Sequence, residues 1–158
     1  MNKILVLDMD GTFVDFYGVE GWKHYLDDLQ DETPYVIAKP VYDMNRFNRV
    51  LRQLKMQGWV IIVNTWLSRT KTEEFHERIR NAKLNWLAKY AVPYDMFIST
   101  DYGVDKQSMI KKLGGLQIIA DDNADIRATW DGPTIDATQD IIPALESLLI
   151  KEVLYVTK

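Results

Sequence analysis

The chain contains no cysteine, so disulfides and thiolate metal sites are excluded. It has only two histidines, His24 and His76, too few for a His-rich metal cluster, and both read as surface residues. No apolar run approaches the ~20 residues that a membrane-spanning helix needs. The first residues have neither signal-peptide nor transit-peptide character, so a cytoplasmic protein with no membrane partner is expected. An excess of basic residues is also missing. A formal charge of −4 and a pI of about 5.2 give no global attraction to nucleic acid, which is not expected as a partner. Repeats and low-complexity tracts are absent. What remains is 158 residues with 47% hydrophobic content, which predicts one domain over residues 1–158 with a single core.

Three short apolar runs stand out: Ile4-Leu5-Val6-Leu7, Trp59-Val60-Ile61-Ile62-Val63 and Gln117-Ile118-Ile119-Ala120. Each is continuous and rich in branched residues, as strands buried on both faces are. Met96-Phe97-Ile98 and Thr134-Ile135 are weaker candidates. Helical patterns separate them. Residues 43–57 place Met44, Phe47, Val50, Leu51 and Leu54 on one face, with Gly58 as a stop. Residues 71–90 do the same with Phe75, Ile79, Leu84 and Leu87. Asp105 is placed to cap a helix running to Leu113. A short helix over 124–130 and a last one over 140–153, with Ile141, Leu145, Leu148 and Leu149 inward, complete the pattern. Strands alternating with helices predict an α/β, Rossmann-like three-layer sandwich on a five-stranded parallel sheet. Residues 14–42 break the rhythm. They are aromatic and acidic, with a short helix expected near 21–29, and read as a small cap-like insertion after the first strand.

The chemistry is concentrated at strand ends. Asp8-Met9-Asp10-Gly11-Thr12 follows the first strand directly. In an extended segment, side chains at i and i+2 point the same way, so Asp8 and Asp10 converge. Gly11 lets the backbone turn. Close carboxylates repel unless a cation or proton intervenes, and a hard cation such as Mg2+ suits oxygen ligands. Asp121-Asp122 ends the third strong strand and adds two more carboxylates. In open α/β sheets ligands bind beyond the carboxyl ends of the strands, where strand order reverses. Asn64 and Thr65, ending the Trp59 strand, can hold phosphate oxygens. Lys106 can add a point charge, with Lys71 and Lys111 as lesser alternatives. Trp66 and Arg69 follow Thr65 closely enough to flank a substrate or touch a second anion.

The order Asp-x-Asp-Gly-Thr, strand ending in Thr, Lys, then Asp-Asp resembles the haloacid dehalogenase-like (HAD) hydrolase superfamily over about residues 3–126. That resemblance implies the sheet order 5-4-1-2-3 and a Mg2+-dependent phosphomonoesterase. Asp8 would be the nucleophile that forms an aspartyl-phosphate. Asp10 would be general acid and base, and its backbone carbonyl a metal ligand. Thr65 and Lys106 would hold the phosphoryl group, with Gly11, Thr12, Asn64, Trp66 and Arg69 as further substrate contacts. Asp8, Asp10, Asp121 and Asp122 would form the metal site, with Asp122 a direct ligand and Asp121 acting through water or exchanging roles.

Other readings fit less well. Asp121, Asn123 and Asp125 match the first ligands of an EF-hand loop, but Ile126 replaces the required glycine and Gly132 the bidentate Glu. Asp125 reads instead as a helix-start residue. A receiver-like signalling domain carries its adjacent acidic pair after strand one, whereas here the pair comes late. A non-catalytic descendant used for binding is the remaining alternative.

Phe13, Phe16, Tyr17, Trp22, Tyr25 and Tyr35 in or beside the insertion are suited to stacking a base. Ile62-Val63-Asn64-Thr65, Lys83-Leu84-Asn85-Trp86-Leu87 and Ile119-Ala120-Asp121-Asp122 look similar to 5'(3')-deoxyribonucleotidases. Those usually continue Thr-Ser-Pro where this chain has Thr65-Trp66-Leu67. The expected partner is a small, nucleotide-like phosphate ester. A polynucleotide-end phosphatase is the alternative that shares the Asp-Asp ending.

Overall fold

In the computed structural model, which describes residues 1–69 and 72–156, the first apolar run forms β1 (Lys3–Leu7) at the centre of a sheet. Its side chains alternate between two cores, as a pleated strand requires. Leu5 and Leu7 join the larger core, and Ile4 and Val6 the smaller one. β1 pairs in parallel with β4 (Trp59–Trp66) on one side and β6 (Leu116–Asp121) on the other. β5 (Met96–Thr100) lies beyond β4, and β7 (Thr134–Asp136) beyond β6, both parallel. The order is β5-β4-β1-β6-β7; counting only these strands, it reads 5-4-1-2-3 from the β7 edge.

Helices cover both faces. The larger core takes up Phe47, Leu51 and Leu54 of α3 (Met44–Met56), Phe75 and Ile79 of α4 (Glu73–Lys89) and Leu145 of α6 (Ile142–Val156). Asp43 caps α3 by accepting from the backbone N–H groups of Asn45 and Arg46. The predicted start of the second long helix, Lys71, lies outside the described residues, as does its role as an alternative phosphate-binding lysine. The opposite face is covered by α5 (Ala124–Thr129), Ile110 and Trp130. Asp125 sits in the first turn of α5, behind an Asn123 cap.

The helix predicted from Asp105 to Leu113 does not form. The segment is a series of turns ending in a 3-10 turn at Lys111–Leu113. Asp105 does accept from the N–H of Gln107, two residues on, as a cap would, but no α-helix follows it. The carbonyl of Lys106, which a helix would spend on Ile110, accepts from the Asn64 side chain instead. Gln107 is also diverted, giving its amide to the Asp131 carbonyl and accepting from the Asp131 N–H.

The insertion carries more structure than its sequence suggests. A two-stranded antiparallel ribbon, β2 (Val14–Asp15) with β3 (Lys39–Pro40), closes its base. The expected helix is α1 (Trp22–Asp27), and a second one, α2 (Thr33–Ile37), packs against α4. Phe16 stacks on Tyr35 at 4.4 Å between ring centroids, and both belong to the larger core.

Candidate active site

Register decides what meets at the top of the sheet. Leu7 pairs with Val63 on one side and with Ala120 on the other, so the next residues, Asp8, Asn64 and Asp121, emerge side by side. The chain runs from β1 outward to β4 and β5, then returns to place β6 on the other flank of β1. Asp8 and Asp121 therefore sit at the point where strand order reverses, the usual ligand crevice of such sheets.

Carboxylate oxygens of Asp8, Asp121 and Asp122 lie within 4.8 Å of one another. Lys106, 3% exposed, donates to Oδ1 of Asp8 at 2.7 Å and to Oδ2 of Asp121 at 2.9 Å. Burial works against its charge, but the two carboxylates together hold it above the usual lysine value. Burial, then the neighbouring Asp8 charge, pushes Asp122 up to about 8. Asp121 is raised in the same direction by burial and by Asp8, with Lys106 opposing. Asp10 is raised as well, by burial first, with Lys83 opposing.

Lys83 was not marked as a site residue by the sequence. Leu84 was expected to face inward, yet Lys83 is the buried one, 1% exposed, and Leu84 is only half-buried. Its Nζ donates to Oδ2 of Asp10 at 2.8 Å, to Oγ1 of Thr65 at 2.6 Å and to the carbonyl of Trp66 at 2.9 Å. Its place four residues after Ile79 and four before Leu87 is the only signal that could have found it: a lysine on an otherwise apolar helix face.

Four carboxylates thus face two ammonium groups, leaving a negative excess in a mostly buried space. An uncompensated excess of this kind demands a proton or a cation. The donor set is all oxygen and clustered, which fits a hard divalent ion such as Mg2+. Asp10 stands outside that cluster by its side chain, because Lys83 holds it. Asp121 has both oxygens engaged, Oδ2 by Lys106 and Oδ1 by the Asn123 N–H.

A pocket of about 380 Å³ opens over these groups. Asp8, Asp10, Thr65, Trp66, Arg69, Lys106, Asp121 and Asp122 all line it. Thr12 and Asn64 do not: both are fully buried behind it. Thr12 donates to Asp8 at 2.9 Å and Asn64 donates to the Lys106 carbonyl at 2.9 Å, so each positions a site residue instead of meeting substrate. Gly11, at φ 81°, is also absent from the lining; a Cβ there would collide with the Asp122 carboxylate, which explains the glycine.

The rest of the lining comes from the insertion and the loop after β5. Tyr17, Trp22 and Tyr35 face Tyr102 and Trp66 across the pocket. Trp22 lines the pocket while packing on Phe16, and Tyr102 is an addition. Tyr102 lies 4.9 Å from the Trp66 ring and carries the Arg69 guanidinium over its face at 4.7 Å. His76, expected at the surface, is 3% exposed and hydrogen-bonded to the Ser68 carbonyl. Lys111 is exposed and outside the lining.

No family model matches the sequence, and no curated protein matches it. Solved structures do match. A Mesorhizobium loti protein solved as a HAD-like phosphatase superposes with a TM-score of 0.56 at 16% identity, over 96% of this chain and 87% of that one. The chain has a HAD-like fold. A chain of the Pnkp1/Rnl/Hen1 RNA repair complex matches with a TM-score of 0.54 at 21% identity, over 86% of this chain. This chain spans 42% of that one's length. Among the described residues, no helix is long and apolar enough to cross a membrane.

Proposed function

We propose that this HAD-like chain is a phosphomonoesterase that works through an aspartyl-phosphate on Asp8. The observation that carries the reading is the convergence of Asp8, Asp10, Thr65, Lys106 and the Asp121-Asp122 pair on one pocket. Asp8 is held at both oxygens, by Lys106 and Thr12, so its attack geometry is set before substrate arrives. As the Asp8–phosphorus bond forms, the bond from phosphorus to the ester oxygen breaks. Asp10, whose pKa burial raises against the opposing charge of Lys83, gives that oxygen its proton. In the second step Asp10 takes a proton from water, whose oxygen displaces Asp8 from phosphorus. Thr65 and Lys106 face the phosphoryl oxygens. Asp8 and Asp122, with the Asp10 carbonyl, would hold Mg2+, and Asp121, in the same cluster, would act through water or exchange roles with Asp122. When bound, that ion supplies charge neutralisation at the phosphoryl oxygens.

The aromatic walls favour a nucleotide-like substrate, because a base has two faces to stack and Tyr17, Trp22, Trp66 and Tyr102 offer flat partners. Phosphate release over a panel of nucleotides and sugar phosphates, with and without Mg2+, tests this. Turnover with nucleotides that disappears in Asp8→Asn is expected. Turnover confined to sugar phosphates would remove the nucleotide part, and full turnover by Asp8→Asn would remove the mechanism.

A second reading, a phosphatase acting on the end of a polynucleotide, draws on the structural likeness to a chain of an RNA repair complex. The platform of Trp66, Tyr102 and Arg69 at the open mouth could take a stacked terminal base. Steeply salt-dependent cleavage of a phosphorylated oligonucleotide, in preference to a mononucleotide, would favour it.

A further inference from the structure

We infer that Lys83 is a positioning residue that sets Asp10 and Thr65 for the displacement, an inference that rests on the phosphomonoesterase reading above. An ammonium group has three N–H donors and no acceptor. All three are taken, by Asp10 Oδ2, Thr65 Oγ1 and the Trp66 carbonyl, at 2.6–2.9 Å. The group is 1% exposed, and no N–H remains for a substrate oxygen. Lys83 therefore acts through its neighbours. This separates it from Lys106, which lines the pocket directly.

Two consequences follow from the donor arithmetic. Thr65 Oγ1 must accept from Lys83 at 2.6 Å, which leaves its own proton only the long 3.4 Å contact to the Trp66 carbonyl, a bond a phosphoryl oxygen would replace. Asp10 is tethered by one oxygen to the same nitrogen, which fixes the distance between the proton donor and the phosphate-binding hydroxyl. The Lys83 ammonium also lies 4.8 Å from the Tyr35 ring centroid, tying the insertion to this arrangement. Core packing alone does not account for a lysine here. An apolar side chain would fill the same helix face without the cost of desolvating a charge.

The test compares two aryl phosphates by kcat/KM, which reports on the first bond-breaking step. Phenyl phosphate has a poor leaving group and needs the Asp10 proton; 2,4-dinitrophenyl phosphate leaves without one. In Lys83→Met, kcat/KM for phenyl phosphate is expected to fall about 100-fold or more, within the usual worth of a general acid. For the dinitrophenyl ester it is expected to fall much less. Equal losses on both esters, or no loss on either, would overturn the inference while leaving the phosphatase reading intact. A wild-type chain that cleaves neither ester defeats that reading, and the inference with it. Circular dichroism checks folding, and Lys83→Gln carries the same comparison if the Met variant is unfolded. If neither variant folds, Lys83 serves stability and the positioning role falls.

Discussion

The Thr12 hydroxyl donates to Oδ2 of Asp8 across 2.9 Å, from a position just past the Gly11 turn. Lys106 occupies the other oxygen, so the carboxylate is clamped between a neutral and a charged donor. Thr12→Val keeps the shape and removes the donor. A buried hydrogen bond to a charged group is worth about 1.5–3 kcal/mol, so urea unfolding is expected to show a loss of that size. Turnover is expected to drop along with it, because Asp8 can then rotate. An unchanged unfolding midpoint would show that the contact carries no energy.

Asp122 gives a pH prediction whose sign runs opposite to the usual carboxylate case. Its value rises from 3.8 to about 8 on folding, by burial and by the charges of Asp8 and Asp121. Between those limits the folded chain keeps a proton that the unfolded chain has lost. Stability from this group is therefore full below the lower limit and is lost as pH rises toward about 8. The metal-free protein is expected to melt at progressively lower temperature over that window. Asp122→Asn, which cannot ionise, should gain on the wild type as pH rises. Mg2+ takes the place of the proton and should flatten the wild-type slope. Parallel melting curves for the two proteins across the window would refute the assignment.

The parts of the site that were legible in the sequence are those fixed by strand ends. An apolar run followed by carboxylates can be placed by eye, and Asp8, Asp121 and Asp122 meet because parallel register leaves them no choice. What was not legible depends on side chains crossing between elements. Asn64 looks like a phosphate ligand because it precedes Thr65, yet it is fully buried behind the pocket, where its amide secures the Lys106 loop. That bond also takes up the Lys106 carbonyl, which the helix expected from Asp105 would spend on Ile110. Lys83 is hidden by its composition: a lysine in a helix is read as solvated until three acceptors from β1, β4 and their loops are seen around it. In the insertion, the aromatic content was visible, but not that Phe16 and Tyr35 would both join the core and line the pocket, since α2, which carries Tyr35, packs on α4 from a distant part of the chain.

Tyr102 makes the substrate class testable apart from the chemistry. It is 44% exposed, lies beside Trp66 and accepts from the Arg69 guanidinium at 3.0 Å through its hydroxyl. The Trp66 indole is itself pinned by its N–H to the Val104 carbonyl at 2.8 Å. These rings form a platform in the lining of the pocket that also holds Thr65 and Lys106. Stacking a base on such a ring is worth about 1–3 kcal/mol by alanine substitution. Tyr102→Ala is therefore expected to raise KM for a nucleotide by roughly 5- to 150-fold, with kcat held within a few-fold. For glycerol phosphate, which has no ring to stack, KM should stay where it is. An equal rise for both substrates would mean that Tyr102 supports the pocket without recognising a base. A fall in kcat alone would place it with the reacting groups instead.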